Sequence, residues 1–127
     1  MASVRQKHTK PELAVRKLLH RLGYRYRLHA ADLRGKPDIV FRRRRKAIFI
    51  HGCFWHGHDC DHGRRQPQSN QVYWIPKIER NRERDAAAIT ALSSMGWSIK
   101  IVWECELRSF EKIAGELADF LGPAKIR

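Results

Sequence analysis

Four of the seven histidines in the chain lie between positions 51 and 62, together with two of its three cysteines. Neutral imidazole and thiolate are the usual protein ligands of zinc, and the His58-x-Cys60 spacing places one of each on a short turn. The segment therefore predicts metal binding. Because two ligands do not complete a tetrahedral site, the remaining ligands must come from elsewhere in the chain.

Asp85 and Cys105 are the candidates for those remaining zinc ligands. Asp85 falls on the apolar stripe of a predicted helix, where a carboxylate that becomes buried has to be paired or bound to a metal. Cys105 lies just beyond a predicted strand. Together with His58 and Cys60 they would complete a closed structural zinc site. Two other interpretations remain open: a salt bridge from Asp85 to an arginine, and a simple buried thiol at Cys105.

A second candidate site centres on Asp38, which follows the Gly35-Lys-Pro37 turn at the head of a predicted strand. A carboxylate there could share a Mg2+ ion with a backbone carbonyl at the end of the neighbouring strand. The alternative is an aspartate that closes the turn by accepting hydrogen bonds from nearby backbone N–H groups.

Phe54 and Trp55 form an aromatic pair inside the polar, basic loop that holds the histidines. One interpretation is that they pack over a zinc-bound loop. The other is that they wedge between base pairs, because opening a base step costs on the order of a few kcal/mol and costs least at a mismatch.

The chain carries 26 Lys and Arg against 13 Asp and Glu, which gives a formal charge of +13. A surface this basic attracts polyanions, so nucleic acid is the expected partner. The chain has no N-terminal apolar stretch as long as that of a signal peptide and no apolar run long enough to span a membrane. An odd number of cysteines fits a reducing compartment. We expect a cytoplasmic, DNA-associated protein without a membrane partner.

The length of 127 residues fits one domain, over residues 1–127. Hydrophobic periodicity and turn residues predict the order helix, three strands, long loop, helix, strand, helix. A run of arginines between the second and third strands is interpreted as either a charged turn or a phosphate contact. The predicted ranges are helix 10–22, strands 24–29, 39–41 and 47–50, loop 51–72, helix 73–95, strand 97–103, and a last helix carrying Leu107 to Leu121.

These motifs together resemble the very-short-patch-repair (Vsr) endonuclease family, a branch of the restriction-endonuclease-like PD-(D/E)XK superfamily. The resemblance spans about three quarters of the chain. It implies an α/β protein with a restriction-endonuclease-like three-layer α/β/α fold, a central mixed sheet and a zinc-stabilised loop. The matching strings are Thr9-x-x-Glu12, Gly35-Lys-Pro-Asp38, Ile48-Phe-Ile-His-Gly-Cys-Phe-Trp-His56, His58-x-Cys60, Glu83-Arg-Asp85 and Val102-Trp-Glu-Cys105.

The resemblance also implies catalytic roles. Asp38 and the backbone carbonyl of Ile50 are expected to bind Mg2+, with His51 and His56 flanking the scissile phosphate. His56 is the expected general base, because a neutral imidazole can take a proton from water near pH 7. Glu12, which also fits a helix cap with Thr9, is expected to face the site and help hold the hydrated metal.

The remaining implied roles concern zinc and DNA. The zinc ligands would be the four residues already singled out, His58, Cys60, Asp85 and Cys105. Phe54 and Trp55 would enter the duplex from the major groove, and Met1 and Val4 would stand on the opposite side.

The activity implied by the resemblance is Mg2+-dependent cleavage of one strand of double-stranded DNA at or near a T:G mismatch, in bacterial very-short-patch repair. A monomer is expected, with other mismatch-repair proteins as further candidate partners. Three alternatives remain: a restriction or defence nickase of the same fold without mismatch preference, a zinc-stabilised DNA-binding module without catalysis, and a ββα histidine-metal nuclease.

Overall fold

The computed structural model describes residues 10–53 and 71–123, which form three α-helices, four strands and one 3-10 helix. None of the helices in these two stretches is long and apolar enough to span a membrane. In chain order the elements are α1 (Lys10–Arg21), β1 (Arg27–Leu28), β2 (Ile39–Phe41), β3 (Lys46–His51), α2 (Gln71–Ser94), β4 (Ser98–Trp103), the 3-10 helix (Glu104–Arg108) and α3 (Phe110–Leu121).

The strands form one mixed sheet in the order β1-β2-β3-β4. β1 and β3 both pair antiparallel with β2, whereas β4 pairs parallel with β3. A parallel pair needs a long crossover, and α2 lies on that connection. In this register His51 stands opposite Trp103, so the last residues of β3 and β4 lie side by side.

Helices cover both faces of the sheet, because alternate strand residues point to opposite sides. On one face Ile39, Ile48 and Val102 pack against apolar residues of α1 and α3. On the other face Val40, Ala47 and Phe49 pack against α2. The helical contributors are Val15, Leu18 and Leu19 of α1, Ala88 and Leu92 of α2, and Ile113, Leu117 and Leu121 of α3. The predicted α/β class and mixed sheet are confirmed.

Contacts within the protein hold most of the arginine run in place. The guanidinium of Arg44 donates to the Leu121 carbonyl at 2.6 Å, and the Lys46 ammonium donates to the Phe120 carbonyl. Both carbonyls lie at the end of α3, where unpaired backbone oxygens attract cations. Arg42 bonds to Asp32 at 2.7 Å and thereby lowers the pKa of that carboxyl. These contacts support the charged-turn interpretation.

Four predicted boundaries differ from the structure. The predicted strand 24–29 is reduced to two residues, because the Tyr24 N–H donates to the Leu19 carbonyl and so belongs to the turn that ends α1. Leu107 lies in the 3-10 helix rather than in the last helix, since the Glu106 carboxylate accepts the Trp103 N–H and starts a separate turn. In addition, His51 belongs to β3, not to the loop, and α2 begins at Gln71.

Gly35 allows the turn before β2 to approach α2 closely. Its φ is +78°, and a Cβ at this position would lie 2.5 Å from the Ala88 Cβ. Replacing Gly35 by alanine is therefore expected to lower the free energy of unfolding by about 1–3 kcal/mol, the usual cost of overpacking. Urea denaturation measures the change.

Gly115→Ala is the matched control for Gly35→Ala, because Gly115 is exposed on α3 and has open space around it. That substitution is expected to raise stability by up to about 1 kcal/mol through helix propensity. Equal effects of the two substitutions would contradict the close approach at Gly35.

Candidate metal centre

Asp38 directly precedes β2, and its Oδ2 accepts a 2.7 Å hydrogen bond from the backbone N–H of Ile50 on β3. The backbone N–H and C=O of a strand residue point towards the same neighbouring strand. The Ile50 carbonyl is thus directed towards the side of β3 on which Asp38 lies. The Asp38 carboxylate therefore accepts a backbone hydrogen bond, as the alternative interpretation predicts, but from the next strand rather than from its own turn.

Glu12 reaches the same region from α1. It lies on the buried stripe of that helix with Val15 and Leu19 and is only 1% exposed. Its Oε2 is 2.8 Å from Nε2 of His29 and 3.6 Å from Nη1 of Arg16. These two groups compensate the burial of a carboxylate that would otherwise be costly.

Glu12, His29 and Asp38 together form a cluster that can hold a metal ion. One ligand atom from each lies within 4.8 Å of the other two. An octahedral Mg2+ with bonds of about 2.1 Å separates neighbouring ligands by about 3 Å and opposite ones by about 4 Å. The carboxylates of Glu12 and Asp38 meet within 4.8 Å of each other, so the donor set can hold a divalent cation.

The sequence pattern places His29 at the end of the predicted strand 24–29 and indicates no role for it. The signal that could have found it is the antiparallel pairing of β1 with β2, in which Leu28 stands opposite Ile39. In that register the residue after β1 must lie beside the residue before β2. The His29 N–H accordingly donates to the Asp38 carbonyl at 3.0 Å.

His51 ends β3 one residue after Ile50, but its side chain lies on the α2 face of the sheet. Its Nε2 is 3.8 Å from Oδ1 of Asp85, and its ring packs edge-on against Trp103 with centroids 5.1 Å apart. A second ring, that of Phe49, lies 5.9 Å away. The imidazole is only 5% exposed, so these contacts fix its position at the end of the strand.

The structure brings two of the four predicted zinc ligands to the elements beside His51. Asp85 lies on the inner side of α2 and is 25% exposed. Cys105 lies in the 3-10 helix after β4, and its N–H donates to Sγ of Cys53 at 3.4 Å. Cys53 is buried, whereas Cys105 is partly exposed, so Cys105 is not the buried thiol that one interpretation of the sequence predicts.

Several predicted residues lie outside the described part of the chain, and their roles stay predictions. This applies to half of the zinc set, to the proposed general base, and to the residues expected to enter the duplex. They are His58, Cys60, His56, Phe54, Trp55, Met1 and Val4.

The exposed side of α1 next to the cluster is basic. An open groove there is lined by Leu13, Arg16, Lys17, His20, Arg21 and Tyr26. Arg16 belongs to both regions, since it also contacts Glu12. A polyanionic backbone lying along this groove would be attracted towards the candidate metal centre.

Comparisons with known proteins agree with this chemistry. The family model described as DNA mismatch endonuclease Vsr matches residues 1–62. The type II nicking enzyme V.XorIIP of Xanthomonas oryzae pv. oryzae is 52% identical over 124 residues, which cover 98% of this chain and 90% of that protein. The type II nicking enzyme V.NmeAIP of Neisseria meningitidis is 46% identical over 86% of this chain and 77% of its own length. The DNA mismatch endonuclease Vsr of Escherichia coli is 40% identical over 91% of this chain and 74% of its own length.

Proposed function

The chain belongs to the Vsr family of DNA endonucleases, and on that premise we propose that it nicks double-stranded DNA at or near a T:G mismatch with the help of Mg2+. The observation that carries the metal dependence is the convergence of the Glu12 and Asp38 carboxylates within 4.8 Å. A purely DNA-binding role would not require two acidic groups to meet beside a basic groove, where they repel the phosphate backbone.

In this proposal Asp38 and the Ile50 carbonyl bind the metal, and Glu12 holds its water shell. When bound, Mg2+ supplies charge that polarises the scissile phosphate and acidifies a water molecule. The hydrogen bond from the Ile50 N–H fixes the Asp38 carboxylate, so its other oxygen can point to the ion. A carboxylate held in this way needs little reorganisation when the substrate arrives.

His56 acts as the general base in this proposal and takes a proton from the attacking water. The water oxygen forms a new bond to phosphorus and the bond to the 3'-oxygen breaks. The 3'-oxygen takes a proton from solvent and leaves as a 3'-hydroxyl, while the other strand end keeps the 5'-phosphate. His51 lies beside the phosphate, and its ring is oriented by Trp103 and by the Asp85 carboxylate. His51 would thus reach the reaction from the end of β3, and His56 from the segment that follows it.

Mismatch selection is assigned to Phe54 and Trp55, which would wedge into the duplex, with Met1 and Val4 opposite them. The cost of opening a base step is lowest where pairing is already defective.

We also propose that the active unit is a monomer with a single domain over residues 1–127. A structural zinc is bound by His58, Cys60, Asp85 and Cys105 in this proposal.

A nickase of the same fold without mismatch preference is the second candidate. Two relatives favour it. Both are named as type II nicking enzymes, and they are 52% and 46% identical to this chain. The DNA-binding module without catalysis is set aside, because the family consists of endonucleases. The ββα nuclease is also set aside, since Asp38 directly precedes β2 of a mixed sheet and bonds to β3.

Nicking rates on two duplexes that differ only in one base pair separate the two candidates. We expect kcat/KM in Mg2+ to be at least about tenfold higher on the T:G duplex than on the matched duplex, which corresponds to about 1.4 kcal/mol of easier base opening. Equal rates on both duplexes would support the nickase without mismatch preference. Trp55→Ala should reduce the ratio between the two rates more than it reduces the rate on matched DNA.

A further inference from the structure

We propose that His29 is a nitrogen ligand of the divalent-cation site, so that the centre combines one imidazole with the carboxylates of Glu12 and Asp38. This inference rests on the proposed metal site at Asp38 and deepens it. It assigns a role to a residue that the sequence motifs leave aside, and it changes which cation the site prefers.

The backbone of His29 is hydrogen-bonded to the backbone of Asp38. His29 has a φ of +49°, a left-handed conformation that is uncommon for residues other than glycine. Its N–H donates to the Asp38 carbonyl at 3.0 Å, and the next N–H, that of Ala30, donates to the Pro37 carbonyl at 3.2 Å. The chain thus turns sharply at His29, while the backbone N–H groups of His29 and Ala30 both bond to the segment that carries Asp38.

The side chain of His29 occupies the position that a ligand would need. Its Nε2 lies 2.8 Å from Oε2 of Glu12, close to the separation of about 3 Å between neighbouring ligands of an octahedral ion. A ligand atom of Asp38 completes the triangle within 4.8 Å. A hydrogen bond between His29 and Glu12 alone would not require the third group to be this near.

An imidazole ligand changes the selectivity of the centre. Mg2+ is a hard cation that prefers oxygen ligands, whereas imidazole nitrogen suits first-row transition metals. Mn2+ accepts both kinds of ligand and resembles Mg2+ in size and coordination. His29 should therefore raise the affinity of the site for Mn2+ more than its affinity for Mg2+.

Mn2+ binding to the zinc-loaded full chain without DNA tests this inference directly. Pulsed EPR of the bound Mn2+ is expected to show a nitrogen coupling in the wild type and none in His29→Asn. Asparagine is chosen because it tolerates the left-handed backbone but lacks the imidazole nitrogen. The dissociation constant for Mn2+ should rise by about tenfold or more, while that for Mg2+, measured by competition, should change by less than about threefold.

His20→Gln is the matched control, because His20 is an exposed histidine of α1 that contributes no ligand atom to the cluster. It should leave the nitrogen coupling and both dissociation constants unchanged. His29→Gln serves as a second variant if His29→Asn does not fold, as judged by its circular dichroism. A nitrogen coupling that persists in the folded His29 variant would come from another histidine and would overturn the assignment.

Asp38→Asn separates failure of this inference from failure of the underlying site. If Asp38→Asn abolishes Mn2+ binding and the His29 variants bind both ions as the wild type does, His29 is not a ligand but the metal site stands. If Asp38→Asn binds Mn2+ as tightly as the wild type, the proposed metal site itself is wrong, and the His29 assignment fails with it.

Discussion

Replacing Asp38 by asparagine is expected to lower Mg2+-dependent nicking on the order of a thousandfold or more while preserving the fold. The loss follows from removing the charged metal ligand, since a catalytic cation supplies several kcal/mol of transition-state stabilisation and each ~1.4 kcal/mol corresponds to a factor of ten in rate. The fold persists because the amide oxygen of asparagine can still accept the N–H of Ile50, which now bonds to the carboxylate at 2.7 Å. Relaxation of supercoiled plasmid measures the rate, and thermal unfolding measures the stability.

Asp38→Ala separates the structural contribution of this carboxylate from its catalytic one. Alanine removes the acceptor as well as the charge, so the Ile50 N–H loses its partner, at a cost of about 1–3 kcal/mol. We therefore expect both variants to be inactive and only the alanine variant to be less stable. Nicking by either variant at the wild-type rate would remove Asp38 from the mechanism.

Asp32→Asn provides a control for the loss of one negative charge. Asp32 is an exposed aspartate that bonds to Arg42 and is not a member of the metal cluster. Its substitution should leave the nicking rate within about twofold of the wild type, since a surface ion pair contributes little to stability.

The sequence predicted the central elements because their hydrophobic patterns are strong. Val15, Leu18 and Leu19 recur at helical spacing and are buried in α1, as expected. Successive residues of β4 also face opposite sides of the sheet, since Val102 packs on one face and Ile101 on the other. Where side-chain burial follows a single local period, local sequence is enough to predict the element.

The contacts that the sequence did not predict are long-range. The approach of His29 to Glu12 depends on how α1 packs across the sheet, and the hydrogen bond from Arg44 to the end of α3 joins residues 77 positions apart. No local pattern carries that information. Glu12 illustrates the difference, because its position after Thr9 predicts a helix cap, while its burial beside His29 depends on the tertiary fold.

Removing zinc from the protein is expected to lower the nicking rate strongly even when Mg2+ is in excess. The wild type should contain about one zinc per chain, because the predicted set supplies four ligands of the usual types. The described half of that set lies around His51: Asp85 is 3.8 Å from its Nε2, and Cys105 follows Trp103, which packs against its ring. Loss of zinc should therefore loosen the contacts that hold the ring of His51, the histidine proposed to lie beside the phosphate. A strong chelator should lower both the melting temperature and the nicking rate, the rate by about 10–100-fold or more.

Re-addition of single metals identifies which ion was lost. Zn2+ together with Mg2+ should restore nicking, whereas Mg2+ alone should not, because the two ions would occupy separate sites with different ligand chemistry. A chelated chain that nicks at the wild-type rate in Mg2+ would contradict the prediction.

Two cysteine variants test the assignment of the ligands against the structure. Cys105→Ala should lose zinc, measured by elemental analysis of the purified protein, and should lose nicking with it. Cys53→Ala should keep its zinc, because Sγ of Cys53 is buried and accepts the Cys105 N–H without belonging to the predicted set. Its only expected effect is a lower melting temperature, from the cavity left by a small buried side chain. If Cys53→Ala lost zinc and Cys105→Ala retained it, the zinc site would have to be rebuilt around Cys53, on the strand side of the loop rather than on the 3-10 helix.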